Sequence, residues 1–75
     1  MNLEVTRVLG EGGYGSVKRV VYEGRDAIVK VLLRTRIKKL IHEALLLVEL
    51  EGVGGAPHLL AVCLNKHALV QEYVG

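Results

Sequence analysis

Several kinds of residue are scarce in this sequence, and each scarcity narrows what the protein can be. The chain has no tryptophan, no phenylalanine, one proline and one cysteine. A single cysteine cannot form an internal disulfide, which is typical of a protein from a reducing compartment. No apolar run approaches the ~18 residues that span a bilayer, and residues 1–4 lack the basic and apolar regions of a signal peptide. We therefore expect a soluble intracellular protein, cytoplasmic by default, with no membrane partner.

Charge and potential metal ligands are also sparse. The formal net charge is only +2, which is too small to indicate nucleic-acid binding. The three histidines and Cys63 do not have the spacing of a zinc site, and His42-Glu43 does not begin an H-E-x-x-H motif because Leu46 occupies its last position. The sequence therefore predicts no metal site and no nucleic-acid partner.

The chain is short but rich in apolar residues. Its 75 residues, of which 51% are hydrophobic, suffice for one domain over 1–75, and a domain of this size buries only about 60% of the surface that its unfolded chain exposes. Part of the apolar surface then has no room in the core. We expect that part to face another protein or a second copy of the chain.

The periodicity of apolar residues changes once along the chain. Apolar positions recur at intervals of three and four between residues 35 and 50, which predicts a helix, and the glycines and proline of 52–57 end it. The other apolar segments are rich in β-branched residues and predict strands at 3–9, 16–22, 27–33, 59–64 and 68–74. Because the connections are short, we expect an α+β fold in which one helix packs on a five-stranded, mainly antiparallel sheet.

A cluster of glycines separates the first two predicted strands. Residues 10–15 contain four glycines and match G-x-G-x-x-G, a pattern shared by two kinds of phosphate-binding loop and by ordinary glycine-rich turns. In dinucleotide-binding folds a helix follows the glycines, whereas the segment here, from Ser16 to Tyr22, is β-branched. The sequence therefore predicts a glycine-rich hairpin between two strands.

Lys30 lies in the middle of an apolar strand, where an unpaired charge is unfavourable. It needs an anion, either a carboxylate or a phosphate, unless its side chain extends to solvent at the sheet edge. Glu43, in the middle of the predicted helix and thirteen residues after Lys30, is the expected partner. Glu49 is the alternative, and Glu43 itself has the alternative of a solvated position on the helix surface.

Taken in order, the glycine run, Lys30, Glu43 and the segment 69–75 resemble the N-terminal lobe of protein kinases over residues 3–75. The resemblance implies that Gln71 is the gatekeeper, that the backbones of Glu72 and Val74 bind adenine, and that Lys30 pairs with Glu43. The residues implied to bind ATP are Leu9, Gly10, Gly12, Tyr14, Gly15, Val17, Ile28, Lys30, Gln71, Glu72 and Val74. Two of them depart from the family pattern: Ile28 is bulkier than the usual alanine, and Gln71 is polar.

The residues that perform phosphoryl transfer in kinases do not occur in this sequence. H-R-D and D-F-G motifs are missing, and the sole aspartate is Asp26. We therefore expect no phosphotransferase activity and no catalytic residue in this chain alone, weak or absent ATP binding, and Mg²⁺ only if a C-terminal lobe supplies its ligands. The expected partner is that lobe. The alternative function is a free-standing interaction module that forms homodimers or binds and regulates a kinase.

A basic cluster precedes the helix. Arg34, Arg36, Lys38 and Lys39 fall within six residues, where positive charge opposes the helix dipole. The cluster is either a solvated surface or a docking site for an anion.

Overall fold

The computed structural model describes residues 3–74, so predictions that involve Met1, Asn2 and Gly75 lie outside the described residues. Five strands and one α-helix are found within this range. The strands are β1 (Glu4–Gly12), β2 (Gly15–Tyr22), β3 (Arg25–Leu32), β4 (Leu59–Cys63) and β5 (Ala68–Glu72), and the helix is α1 (Ile37–Leu50). Short 3-10 turns occupy Arg34–Arg36, Val53–Gly55 and Leu64–Lys66.

The strands form a single sheet in the order β1-β2-β3-β5-β4, and every neighbouring pair is antiparallel. The prediction of an α+β fold with a five-stranded antiparallel sheet and one helix is therefore confirmed for the described residues. β5 lies between β3 and β4, so the chain that leaves β3 passes through α1 before the sheet is completed.

Several predicted boundaries were wrong; β3, for example, spans Arg25–Leu32 and not residues 27–33. The turn predicted over residues 10–15 is only two residues long, Gly13 and Tyr14, because the flanking glycines pair as strand residues, Gly12 with Gly15. The helix begins at Ile37 rather than at residue 35, since a 3-10 turn precedes it. β5 ends at Glu72 rather than at residue 74.

One cluster of the buried core lies on the face of the sheet opposite Lys30. Val20, Ala27, Val29, Ala68 and Val70 are buried together there. These residues alternate with those of the opposite face, as the two-residue period of a strand requires. β3 is buried on both faces, because Ile28, between Ala27 and Val29, is buried as well.

Helix α1 covers the opposite face and packs against β4 and β5. Its buried residues are Leu40 and Ala44, four positions apart on one side. The helix has no side-chain cap at its start and no acidic residue in its first turn. At its end Glu51 adopts a left-handed conformation, φ 43°, and its N–H donates to the carbonyl of Leu47 at 3.1 Å.

Candidate functional site

The sheet face that meets α1 carries most of the residues singled out in the sequence. Residues paired across antiparallel strands point to the same face, and Lys30 is paired with Val17 on β2 and with Leu69 on β5. Two residues earlier on β3, Ile28 is paired with Gln71. Strand register alone therefore places Val17, Ile28, Lys30 and Gln71 side by side.

Lys30 meets the helix through an ion pair. Its Nζ lies 3.6 Å from Oε2 of Glu43, so the structure brings Lys30 to Glu43 rather than to Glu49. The two side chains are 27% and 33% exposed. An ion pair that remains partly hydrated contributes at most about 1 kcal/mol to stability. The pair therefore does little to hold the fold together, and it leaves Lys30 available to a second anion.

The glycine-rich hairpin is anchored close to Lys30. The carbonyl of Tyr14 accepts a hydrogen bond of 3.3 Å from the N–H of Leu33, the residue after β3. Gly15 is paired with Leu32 and has a φ of 132°. A Cβ at Gly15 would collide with the carbonyl oxygen of Val31. The hairpin can lie this close to β3 only because residue 15 has no side chain.

Tyr14 folds back beneath its own hairpin. A Cβ added to Gly10 would lie 2.7 Å from the tyrosine hydroxyl, and one added to Gly12 would lie 3.0 Å from the ring. These two glycines therefore make room for the ring. The resemblance implied that Tyr14 binds ATP, but the sequence did not predict that its ring would lie against Gly10 and Gly12, because turn residues carry no periodicity that shows which way a side chain points.

An open depression, here called the apolar cavity, lies under the start of the hairpin. Its volume is about 380 Å³. Six of the eleven residues that the resemblance implied to bind ATP line it, together with two residues that sequence reasoning missed, Pro57 and Tyr73. The lining is Leu9, Val17, Ile28, Pro57, Gln71, Glu72, Tyr73 and Val74. No sequence motif marks Pro57, which enters the cavity from the loop before β4.

Two smaller depressions adjoin the apolar cavity. The basic cavity, of about 170 Å³, is lined by Tyr14, Val17, Lys30, Leu32, Arg36, Lys39 and Glu43. The rear cavity, of about 230 Å³, is lined by Lys30, Glu43, Leu46, Leu47, Pro57 and Gln71. Val17 is shared by the apolar and basic cavities, and the Lys30–Glu43 pair by the basic and rear cavities. The three depressions are therefore neighbours along one face, with Lys30 at the boundary between two of them.

The end of β5 is secured by polar contacts. The Glu72 carboxylate accepts a 3.1 Å hydrogen bond from the N–H of His58 and a 3.2 Å hydrogen bond from the Arg25 guanidinium, and the backbone N–H of Glu72 donates to the carbonyl of His58 at 2.9 Å. The guanidinium of Arg19 lies 4.1 Å from the centre of the Tyr73 ring, a favourable cation–π contact. These contacts connect the end of β5 and Tyr73 to β2, to β3 and to the loop before β4.

Other kinds of site find little support in the part of the chain that the structure describes. Residues 3–74 contain no group of three or more histidine, cysteine, aspartate or glutamate residues placed to hold a metal ion. Within the same residues, no helix has the length and the apolar character needed to cross a bilayer.

Comparison with known proteins gives no match: no protein-family model and no curated protein aligns significantly with this chain. Function must therefore be inferred from the chemistry of the site itself, since a fold can serve many activities.

Proposed function

We propose that this chain is a nucleotide-binding lobe of the protein-kinase type and that it binds ATP on the sheet face that meets α1. The observation that carries the proposal is the position of Lys30. It contacts Glu43 at 3.6 Å and lines the basic cavity together with Tyr14, and this cavity adjoins the apolar cavity through Val17. A purine ring needs an apolar slot with backbone polar groups at its rim, and a phosphate tail needs a cation and a close backbone.

The components of the site match the parts of a nucleotide in order. The apolar cavity between Leu9, Val17 and Ile28 suits the base, and Glu72 at the end of β5 and Val74 beyond it supply backbone groups at its rim. Val17 links this cavity to the basic one, where Lys30 and the hairpin suit the phosphates. Because the apolar cavity is open on one side, the bound base stays partly hydrated, and we expect weak binding.

Phosphoryl transfer requires a residue that orients the acceptor hydroxyl and residues that hold Mg²⁺ at the phosphates. The single aspartate of the sequence, Asp26, forms an ion pair with Arg19 at 3.4 Å. We therefore propose that the chain binds the nucleotide, and that phosphoryl transfer occurs only where a second lobe contributes the acceptor-orienting residue and the Mg²⁺ ligands. That lobe is the partner, and Mg²⁺ the cofactor, that this proposal implies.

Replacing Lys30 with methionine is expected to weaken ATP binding at least tenfold. A hydrogen bond to a charged group contributes about 1.5–3 kcal/mol, and 1.4 kcal/mol corresponds to a factor of ten in Kd. Adenosine, which has no phosphate, should bind both proteins equally. The measurement is a titration followed by chemical-shift changes of the Val17 and Ile28 methyl groups, supported by calorimetry with and without Mg²⁺.

Lys66→Met is the matched control for this experiment. It removes the same charge from an exposed turn, and Lys66 is not among the described residues that line the three cavities. The control should leave ATP affinity within twofold. If ATP and adenosine both leave the Val17 and Ile28 methyl signals unchanged, nucleotide binding at this site is refuted. If Lys30→Met binds ATP as well as the original chain does, the role given to Lys30 is wrong.

A second candidate function, self-association, is favoured by the outer surface of α1. Ile41, Leu45 and Val48 are 40%, 64% and 52% exposed. At 100° per residue these three positions lie within 60° of one another, beside the buried side of the helix that Leu40 and Ala44 form. A contiguous apolar surface of this kind is typical of a protein interface.

The charges beside this surface favour a two-fold contact between two copies of the chain. Lys38 and Glu49 are exposed and lie on the same side as Leu45, one near each end of the helix. If two copies of α1 pack antiparallel, Lys38 of each faces Glu49 of the other, as an isologous interface requires. The observed sequence of the helix thus suits a symmetric dimer.

Leu45→Gln is expected to convert such a dimer into a monomer, since it places an amide in the centre of the apolar surface while glutamine keeps a good helix propensity. Light scattering over a range of concentrations measures the mass. Leu64→Gln, at a residue 53% exposed in the turn before β5, should leave the dimer intact. A monomeric mass for the original chain at every concentration would refute self-association without affecting the proposal for ATP.

A further inference from the structure

The structure divides the basic cluster that precedes α1 into two pairs. Arg36 and Lys39 line the basic cavity together with Lys30, whereas Arg34 and Lys38, which are equally exposed, are not among its described lining residues. Lys39 and Glu43 are four residues apart on α1 and therefore share one side of the helix. Arg36 directly precedes the helix, at the end of the 3-10 turn, and lines the same cavity as Lys39 and Glu43, the partner of Lys30.

The basic cavity carries an excess of positive charge. Three cations line it, Lys30, Arg36 and Lys39, against a single carboxylate, that of Glu43. The first turn of α1, all of it described, contains no acidic residue, although acids are favoured there and bases disfavoured by the helix dipole. Arg36 and Lys39 are thus placed where they do not help the helix, and an anion in the cavity would offset that unfavourable charge.

The cavity has room for a phosphate group. Its volume of about 170 Å³ is well above the ~30 Å³ that one water molecule occupies in the liquid. Its upper side is formed by Tyr14, whose ring lies against Gly10 and Gly12. Tyr14 and the three cations therefore line one space, which adjoins the apolar cavity through Val17.

We propose that Arg36 and Lys39 bind the terminal phosphate of a nucleoside triphosphate, while Lys30 binds the phosphates nearer the ribose. This inference rests on the proposed nucleotide-binding function and adds to it a preference for the triphosphate over the monophosphate. Two side-chain cations at the terminal phosphate provide the positive charge that the polyphosphate tail needs. The chain therefore binds ATP in the absence of a divalent cation, and more tightly than it binds AMP.

The test compares two double variants that remove the same charge. Arg36→Gln/Lys39→Gln removes two of the three cations that line the basic cavity. Arg34→Gln/Lys38→Gln removes two cations that are not among its described lining residues. ATP, AMP and inorganic tripolyphosphate are titrated in EDTA at about 0.15 M salt, where the field of distant charges is screened beyond about 8 Å. The melting temperature of each variant is measured first. Neither pair stabilises the start of the helix, so no decrease is expected.

The first double variant is expected to weaken binding of ATP and tripolyphosphate at least tenfold and to leave AMP within twofold. The second should leave all three within twofold. ATP binding that is equal in the original chain and in Arg36→Gln/Lys39→Gln, or that falls equally in both double variants, would overturn this inference while leaving nucleotide binding intact.

Failure of the proposed function gives a different result. If tripolyphosphate binds and requires Arg36 and Lys39, but neither ATP nor AMP shifts the Val17 and Ile28 methyl signals, the cavity is an anion site and the nucleotide assignment is refuted. If neither ATP nor tripolyphosphate binds, both the inference and the function on which it rests are refuted.

Discussion

Replacing Gly15 with alanine is expected to lower the free energy of unfolding by about 2–4 kcal/mol. Two causes act together. The backbone of Gly15 has a φ of 132°, which residues with a Cβ rarely adopt, and the added Cβ would collide with the carbonyl oxygen of Val31 and lie 2.9 Å from Cα of Leu32. Because both obstacles are backbone atoms of β3, they can move aside only if the two strands separate.

The expected loss is large for so small a protein. A chain of 75 residues has a total stability of roughly 4–11 kcal/mol, so the substitution removes a major part of it. Urea unfolding followed by circular dichroism measures the change. The weakening of the β2–β3 pairing should also displace the hairpin from Lys30, and any ATP affinity should fall with it.

Gly13→Ala is the matched control, two residues earlier in the same hairpin. Gly13 is outside the positive-φ region, and a Cβ added to it meets no described atom within 4 Å. Alanine there restricts the unfolded chain and should change stability by less than about 1 kcal/mol, in the stabilising direction. Equal losses for the two variants would mean that the close approach of Gly15 to Val31 does not exist in solution.

Leu40→Ala is expected to cost about 2–5 kcal/mol, the range measured when a large buried side chain is truncated and leaves a cavity. Leu40 is fully buried and, with Ala44, is the part of α1 that is enclosed against the sheet. Its loss should loosen the helix as a unit. Since Glu43 and Lys39 lie on this helix and Arg36 directly precedes it, the variant should lose the ordered ion pair with Lys30 and bind ATP more weakly than the original chain does.

Leu64→Ala removes the same atoms from a residue that is 53% exposed. It should change stability by no more than about 0.5 kcal/mol, as is usual for surface positions. Denaturant midpoints give the difference, and the 3.6 Å contact of Lys30 with Glu43 can be followed in each variant by the NMR signals of the two side chains. A Leu40→Ala variant as stable as Leu64→Ala would show that α1 is not held to the sheet through Leu40.

The secondary structure followed from short-range patterns and was therefore predictable. Apolar residues at intervals of three and four between residues 37 and 48 can form a continuous surface only on a helix, and β-branched segments with glycine turns can do so only on strands. The prediction that residues 10–15 form a turn was wrong, because it was based on the glycines alone. Glycine is permitted in turns but does not require them, and the pairing of Gly12 with Gly15 reduced the turn to Gly13 and Tyr14.

The site was predictable wherever a side chain would have been unfavourable without a partner. Lys30 in an apolar strand implied an anion, and Glu43 was the expected one. Its distance along the chain did not distinguish it from Glu49. Glu43 was selected because it lies on the side of the helix that meets the sheet. The sequence also held information that the prediction did not use: Arg36 and Lys39 precede Glu43 by seven and four residues, which is close to whole helical turns, whereas Arg34 and Lys38 do not have this spacing.

The sequence by itself thus determined the glycine hairpin and the need of Lys30 for an anion, because backbone freedom and the unfavourable burial of a charge are properties of single residues. Which residues lie around Lys30 was decided only by the tertiary structure. The placement of β5 between β3 and β4 and the position of Arg36 and Lys39 at the basic cavity depend on how α1 packs on the sheet. Those are relations between segments distant in the chain, and they are set by packing against Leu40 and Ala44 rather than by any local pattern.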